Sequence, residues 1–406
     1  MLLLAALLGG GTVSVVTLAQ EEVAPAEVTA PVAEATPATQ NTSEASAVAP
    51  ASEEAPAAEA PVAAAPAVSI KPRPSEIARL SSKSLLLGIT QAGDKLITVG
   101  DRGNILLSSD GNNWTQAISP TNVTLTAVAF ADASNGWAVG HDAVILHTTD
   151  SGKTWQLQNF QPELNKPLFG IFPIDAQNAY AVGAYGLFLA TQDGGAHRTA
   201  VEAGPITADG LHLNAMIRLN NGDLFIAGEV GLIGVYGIDQ KALAQAQAQA
   251  KARVRRPISA AGASGAVPAK PVAVEPVAPP TPRWQRLTLP YEGSLFGALP
   301  RGEKGAMVYG LRGNVYVTDD VYSNQWTKLD IGSVQSIFGG ALLAEQGVAL
   351  VGADGALMVV APDGSVRGDL ATKAGTDLAS GTLSGVLPWN GGLLVVGDLG
   401  VNRVPI

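Results

Sequence analysis

The chain has no cysteine among its 406 residues. That excludes disulfides, thiolate metal sites and a cysteine nucleophile. Its length compensates, because a chain of this size buries enough apolar surface to stand without covalent staples. Aromatic residues are scarce at 5% and charged residues make up only 15%, whereas glycine numbers 46. The formal charge of −10 argues against nucleic acid, which calls for a basic surface. Abundant glycine with few large rings suggests many tight turns. The length fits two or three domains of about 150 residues or one large all-β domain.

Positive charge is missing from the first seventy residues, and Lys71 is the first basic side chain. Leu2 to Leu18 are apolar or small, broken by Gly9-Gly10-Gly11, and fall short of the roughly 20 residues of a membrane span. Thr17-Leu18-Ala19 places small residues where signal peptidase cuts. Residues 1–19 are expected to be a signal peptide or a membrane anchor. Either way the bulk of the chain is exported, to the periplasm or the outer side of the inner membrane. Residues 20–70 hold eight Glu and no Asp, Lys or Arg, with no aromatic at all. Such a stretch cannot offset the entropy of ordering it and reads as a disordered Ala/Pro/Glu-rich linker. Its acidity agrees with translocation.

From Leu86 onward one pattern recurs: strand, turn, strand ending in glycine, two residues, glycine, strand. The anchors are Gly100-Asp101-Arg102-Gly103, Gly140 with Ala143, Gly183-Ala184-Tyr185-Gly186, Gly228-Glu229-Val230-Gly231, Gly310-Leu311-Arg312-Gly313, Gly352-Ala353-Asp354-Gly355 and Gly397-Asp398-Leu399-Gly400. First glycines are spaced by 40, 43, 45, 82, 42 and 45 residues. An insertion at 238–283 accounts for the one long step. Seven units of about 41 residues suit four-stranded propeller blades. The glycine pairs are expected to leave the chain free to take positive φ in a tight two-residue connection. The seventh unit stops after three strands, and residues 75–82 are expected to supply its closing strand, because Glu76-Ile77-Ala78-Arg79-Leu80 resembles Trp284-Gln285-Arg286-Leu287. The fold class is therefore all-β, a seven-bladed β-propeller spanning 71–406.

Two units carry a further signature between their third and fourth strands. Thr148-Thr149-Asp150-Ser151-Gly152-Lys153-Thr154-Trp155 matches the S/T-x-D-x-G-x-T/S-W Asp-box, and Ser108-Ser109-Asp110-Gly111-Asn112-Asn113-Trp114 is close to it. In such a turn Asp accepts backbone N–H bonds, glycine supplies positive φ, and tryptophan plugs the gap between blades. Weaker copies are Thr191-Gln192-Asp193-Gly194-Gly195, with Arg198 in the tryptophan slot, Thr318-Asp319-Asp320 leading to Trp326, and Asp363-Gly364. The structural candidates are thus Asp110, Trp114, Asp150, Gly152, Trp155 and Asp193. With Asn135-Gly136-Trp137-Ala138-Val139-Gly140 and Asn178-Ala179-Tyr180-Ala181-Val182-Gly183, the chain resembles Asp-box (bacterial neuraminidase repeat) propellers. More narrowly it is similar to the photosystem II stability and assembly factors and their relatives in non-photosynthetic bacteria. The resemblance covers about 84–406 apart from the insertion. It implies an exported, non-enzymatic propeller that helps assemble a membrane complex. Photosynthetic members carry an arginine patch near the T-x-D strands, where this chain has Leu106-Leu107, Leu146-His147 and Leu189-Ala190.

The insertion begins with helix formers (Lys241 to Arg256) and continues as a Pro-rich loop to Pro282. Seven basic residues stand against two acidic ones in 238–283. A basic arm can meet an acidic partner or anionic headgroups, which makes Arg253, Arg255 and Arg256 candidate partner-binding residues. Asp-box propellers include sialidases, so a glycan-acting or glycan-binding propeller is the alternative. It implies three arginines and a Tyr at the axis, but the Arg-Ile-Pro motif of those enzymes does not occur here. No nucleotide fingerprint is present, and His141, His147, His197 and His212 lack ligand spacing. The expectation is a monomer without cofactor or metal, working beside a membrane with a protein partner.

Overall fold

A computed structural model describes residues 71–254, 280–344, 347–368, 370 and 377–406. The expected signal peptide or anchor (1–19), the disordered linker (20–70), Arg255, Arg256 and the Pro-rich part of the insertion lie outside the described residues. From residue 71 the described chain winds into seven antiparallel sheets arranged as a ring, a seven-bladed β-propeller. Six sheets have four strands and the seventh has three. The blades occupy 86–117, 125–159, 168–200, 213–287, 295–329, 337–367 and 383–405. Blade one shows the pattern: Leu86–Ala92, Lys95–Gly100, Ile105–Ser108 and Thr115–Ala117, paired in that order.

Each blade is apolar on both faces because it is sandwiched between neighbours. Among the described residues the core divides into seven clusters, each straddling one seam between adjacent blades. Ile97 and Val99 of blade one meet Ala138 and Leu146 of blade two, for example. The alternate residues Trp137 and Val139 turn to blade three. The first strands of successive blades pack on one another, and the first strand of blade seven packs on that of blade one. These strands therefore line the ring axis.

All seven first strands open with Leu or Ile, one unpaired bulge residue, then Gly or Ala. The register slips at Leu87, Thr126, Phe169, Asn214, Phe296, Phe338 and Ser384. A bulge sharpens the local twist. The small residue behind it allows close approach: a Cβ on Gly339 would sit 2.7 Å from the Ser384 carbonyl oxygen of the next blade. Three bulge residues also bond across the seam. Thr126 Oγ1 donates to the Leu168 carbonyl at 2.7 Å, Asn214 Nδ2 to that of Leu295 at 2.7 Å, and Ser384 Oγ to that of Leu86 at 2.7 Å.

The ring closes by a route other than the expected one. Residues 75–82 do not form the fourth strand of blade seven, whose sheet comprises only its three strands among the described residues. Ser75 instead exchanges hydrogen bonds with Ser119 after blade one's last strand, and Gln116 holds the backbone at Glu76 and Ala78. Ser81–Lys83 forms a 3-10 turn against Gly400. Closure rests on blade one packing directly on blade seven through Leu86, Leu106, Val396 and Val401. The physical reason is that seam packing and the Ser384 bond join the two sheets without a shared strand.

Positive φ does occur in these connections, but the two glycines of a pair are needed for different reasons. Gly100, Gly140, Gly183, Gly228 and Gly310 are extended, with φ between −160° and −176°. Glycine is required there by contact, since a Cβ on Gly100 would run into the Leu85 carbonyl oxygen. Positive φ falls two and three residues later, as at Arg102 (53°) and Gly103 (68°).

The insertion leaves blade four after Ile233–Gly237 and returns as Arg283–Leu287, which pairs with it. Helix Gln240–Val254 lies between them. Asp239 caps it, with Oδ1 accepting from the N–H groups of Lys241 (2.9 Å) and Ala242 (3.2 Å). Arg283 pairs with the other carboxylate oxygen and so ties the two ends of the arm together.

Candidate interaction surface

The connections alternate between the two ends of the ring. One end carries the first-to-second-strand hairpins and the Asp-boxes. The other carries the G-x-x-G turns and the links between blades.

The Asp-box end is built from self-satisfied turns. Asp110 Oδ1 accepts from the N–H groups of Asn112 (2.9 Å) and Asn113 (2.8 Å). In blade two Asp150 takes the N–H and hydroxyl of Thr154 at 2.9 and 2.7 Å, while Thr148 Oγ1 accepts the Gly152 N–H at 3.0 Å. Asp193 repeats this with Thr191 and His197. The hydrogen bonds from Asn113 hold the Asp110 carboxyl far below the ordinary range, and those from His197 hold Asp193 at about 2. At Asp150 burial pushes the other way, and the bonds from Thr154 and Thr148 outweigh it to leave a lowered value. These carboxylates are committed to their own backbone.

The aromatic slots close the seams. Trp155 Nε1 donates to the Gly152 carbonyl at 2.8 Å and its ring enters the seam between blades one and two. Trp114 donates to Gly111 at 3.3 Å and packs at the seam between seven and one. In blade three Arg198 takes over the same donor role: its guanidinium bonds the Gly195 carbonyl and, across the seam, the Gln158 carbonyl. Trp284 serves blade four, where it packs against Phe188 of blade three.

The tyrosines are dispersed. Tyr309 is buried at the seam of blades five and six, where desolvation pushes its hydroxyl up. Tyr322 donates to Asp223 at 2.5 Å, and Tyr185 is exposed in a turn. The axis mouth on the G-x-x-G side presents the bulge residues instead: Leu87, Phe169, Phe296 and Phe338 with Thr126, Asn214 and Ser384. The histidines occupy four separate places, and no group of three or more His, Asp or Glu suited to a metal occurs among the described residues. No helix among them is long and apolar enough to cross a membrane. Arg253 falls in the last turn of the insertion helix.

The G-x-x-G end has a different character. Nine of the thirteen large apolar side chains exposed among the described residues lie there, including Ile77 (61%), Leu80 (73%), Tyr185 (57%), Val230 (49%) and Val334 (78%). A cleft of about 550 Å³ runs between residues 73–81 and blade one, lined by Arg73, Glu76, Ile77, Leu80, Asp101 and Arg102 among others. Sequence reading did not single out this face, although its signal was present in the large apolar residues at loop positions.

Seven blades, Asp-box turns best formed in the first three, seams plugged there by tryptophan or arginine and one apolar end define a propeller of the Asp-box class. The chain belongs to the photosynthesis system II assembly factor YCF48 family, whose model matches residues 94–338. It is 38% identical over 47 residues to the photosystem II assembly protein Ycf48 of Thermosynechococcus vestitus, a match covering 12% of this chain and 14% of that protein. It is 30% identical over 87 residues to YkuO of Bacillus subtilis, covering 21% and 29%. These matches therefore span less than a third of either relative. Among solved structures it is similar to YCF48 from Cyanidioschyzon merolae (17% identity, TM-score 0.54, 79% of this chain and 95% of that one). It is also similar to YCF48 bound to D1 peptide (16%, 0.55, 80% and 94%) and to the WD40 β-propeller domain of Doa1 (11%, 0.54, 79% and 92%). At these identities the structural likeness concerns the fold.

Proposed function

We propose that the chain is a non-catalytic docking scaffold that acts in the assembly or stabilisation of a membrane or envelope protein complex, from the exported side. The observation that carries this reading is the segregation of exposed apolar side chains to the G-x-x-G end. Isolated surface apolar residues are ordinary, whereas a concentration on one face marks an interaction surface. Family membership supports it, and so does the D1 peptide held by one structural neighbour. The basic arm with Arg253, Arg255 and Arg256 supplies a secondary contact to an acidic region of the partner. The glycan-acting alternative gains no support from the described tyrosines, which are dispersed among turns and seams.

The test is affinity purification of the tagged full chain from its native membranes after cross-linking, followed by mass spectrometry. Recovery of one membrane-complex subunit in near-stoichiometric amount is expected, with loss of that subunit when Leu80 and Val334 are both changed to Glu. Recovery that is equal for both proteins, or no enriched subunit, overturns the reading. Changing the three arginines to Gln is expected to reduce recovery severalfold.

A further inference from the structure

The third residue of the G-x-x-G turn reaches solvent in every blade. At Arg102, Asp142, Arg312 and Asp354 the residue is polar, and its left-handed backbone is matched by a solvated side chain. Blades three, four and seven carry an exposed apolar residue there, and of these Tyr185 and Val230, unlike Leu399, are also left-handed. Tyr185 has φ of 54° and Val230 has φ of 53°, and each stands with about half of its surface in water. A β-branched residue is among the worst choices for the left-handed region. An exposed apolar side chain gains nothing from folding either. Two separate costs at adjacent turns, only partly repaid in the folded chain, point to a surface kept for binding.

The neighbours give that surface its chemistry. His212 joins the two turns: its ring lies edge-on to Tyr185 at 4.9 Å, and its backbone exchanges hydrogen bonds with Glu229, beside Val230. On its inner side His212 meets Phe169 at 5.7 Å, which extends the apolar strip to the axis mouth. Glu292 borders the other side, since the Gly231 N–H bonds the Gly293 carbonyl at 2.8 Å. Neither Glu229 nor Glu292 forms an ion pair with Lys or Arg among the described residues, and Glu229 has only His212 at 3.9 Å. The nearest cations are otherwise placed. Arg286 is held by Asp209, and Arg312, in the next blade's turn, lies close enough to act on Tyr291 beside Glu292.

We infer that Tyr185, Val230, His212 and Phe169 form a docking site for a polypeptide segment bearing large apolar side chains, with lysine or arginine opposite Glu229 and Glu292. Apolar groups cover the strained turns, and a cation answers two carboxylates that have no Lys or Arg partner, along with the aromatic faces. The site rests on the reading of the chain as a docking scaffold and names where, and with what chemistry, one partner sits.

The experiment titrates the full chain against fluorescein-labelled peptides of alternating Lys and Leu, with Glu-Leu and Lys-Ser peptides as controls, at fixed ionic strength. Saturable binding of the Lys-Leu peptide alone is expected. Affinity should fall at least tenfold in Y185G/V230G and at least threefold in E229Q/E292Q. The glycine pair relieves both left-handed residues, so its melting temperature should equal or exceed that of the parent. Equal binding of the Glu-Leu peptide, unchanged affinity in Y185G/V230G, or a lowered melting temperature in that variant overturns the proposal. Membrane capture separates the two readings. If the parent and Y185G/V230G capture the same subunit equally, the site is refuted and the scaffold stands; if neither captures any, the scaffold itself fails.

Discussion

Arg198 shows how a single side chain can hold the place of another of different chemistry. Trp114 and Trp155 each close a turn by donating to the carbonyl of their box glycine, and Arg198 donates to Gly195 in the same way. The second bond, to Gln158, is one a tryptophan cannot make, because indole has a single donor. Arg198→Met keeps the bulk and strands two partly buried carbonyls. It should cost about 3 kcal/mol, read as a lower urea midpoint at unchanged slope. Titration adds a second residue-level prediction. Asp110, Asp132, Asp150, Asp175, Asp193 and Asp363 all lie below their ordinary value of 3.8. Their contribution is present above that value and is lost as pH falls through the folded pKa, about 2 for Asp193. His147, buried and stacked on Trp137 at 4.5 Å, is lowered from 6.5 by desolvation. The unfolded chain takes up that proton first, so stability should also decline as pH drops below 6.5. Melting temperature plotted against pH should show two descents, and His147→Leu should remove only the upper one.

At the scale of the element, the turn is governed by crowding more than by dihedral freedom. Gly100 is extended, and Gly100→Ala would drive a methyl into the Leu85 carbonyl of the paired strand. Neither backbone can retreat without breaking the pairing of the first two strands, so a loss of about 3 kcal/mol is expected in chemical denaturation. Gly204→Ala, where a Cβ meets nothing within 4 Å, should be neutral or slightly stabilising in the same assay. The spacing of the glycine pairs was legible in the sequence because contact with the preceding strand forbids any side chain at Gly100 and its equivalents. Which glycine took positive φ was not legible, because contact and conformation select the same residue type. The bulges were overlooked for a related reason. Leu86-Leu87-Gly88, Leu168-Phe169-Gly170 and Ser384 between Leu383 and Gly385 share a pattern, but the middle residue varies from Phe to Ser. Its role is positional and leaves no mark in residue type. The apolar end face went unread because Ile77, Tyr185 and Val230 looked like strand and turn residues until their exposure was known.

For the whole molecule the decisive matter is how the two ends of the domain meet. Similarity between Ile77-Ala78-Arg79-Leu80 and the fourth strand of blade four suggested a shared strand, yet Ile77 and Leu80 are the side chains left in solvent. The pattern match was genuine and the packing partner was different, since Ser75 and Gln116 draw this segment onto blade one. The two modes of closure make opposite forecasts. If a strand from 75–82 held the ring, deleting residues 1–79 would open blade seven and collapse cooperativity. If the seam holds it, the deletion removes only a few hydrogen bonds near Ser119 and should lower the melting temperature by a few degrees at most. The seam between blades seven and one is also the thinnest of the seven clusters, resting on Leu86, Leu106, Val396 and Val401. Leu106→Ala there should cost about 2–5 kcal/mol, more than the whole deletion. Amides of Leu86–Ala92 and Gly400–Pro405 should then gain hydrogen exchange ahead of those at the seam of blades four and five, because a ring parts first where the least surface holds it. A deletion more damaging than Leu106→Ala would restore the shared strand and displace the packed seam as the closure of the ring.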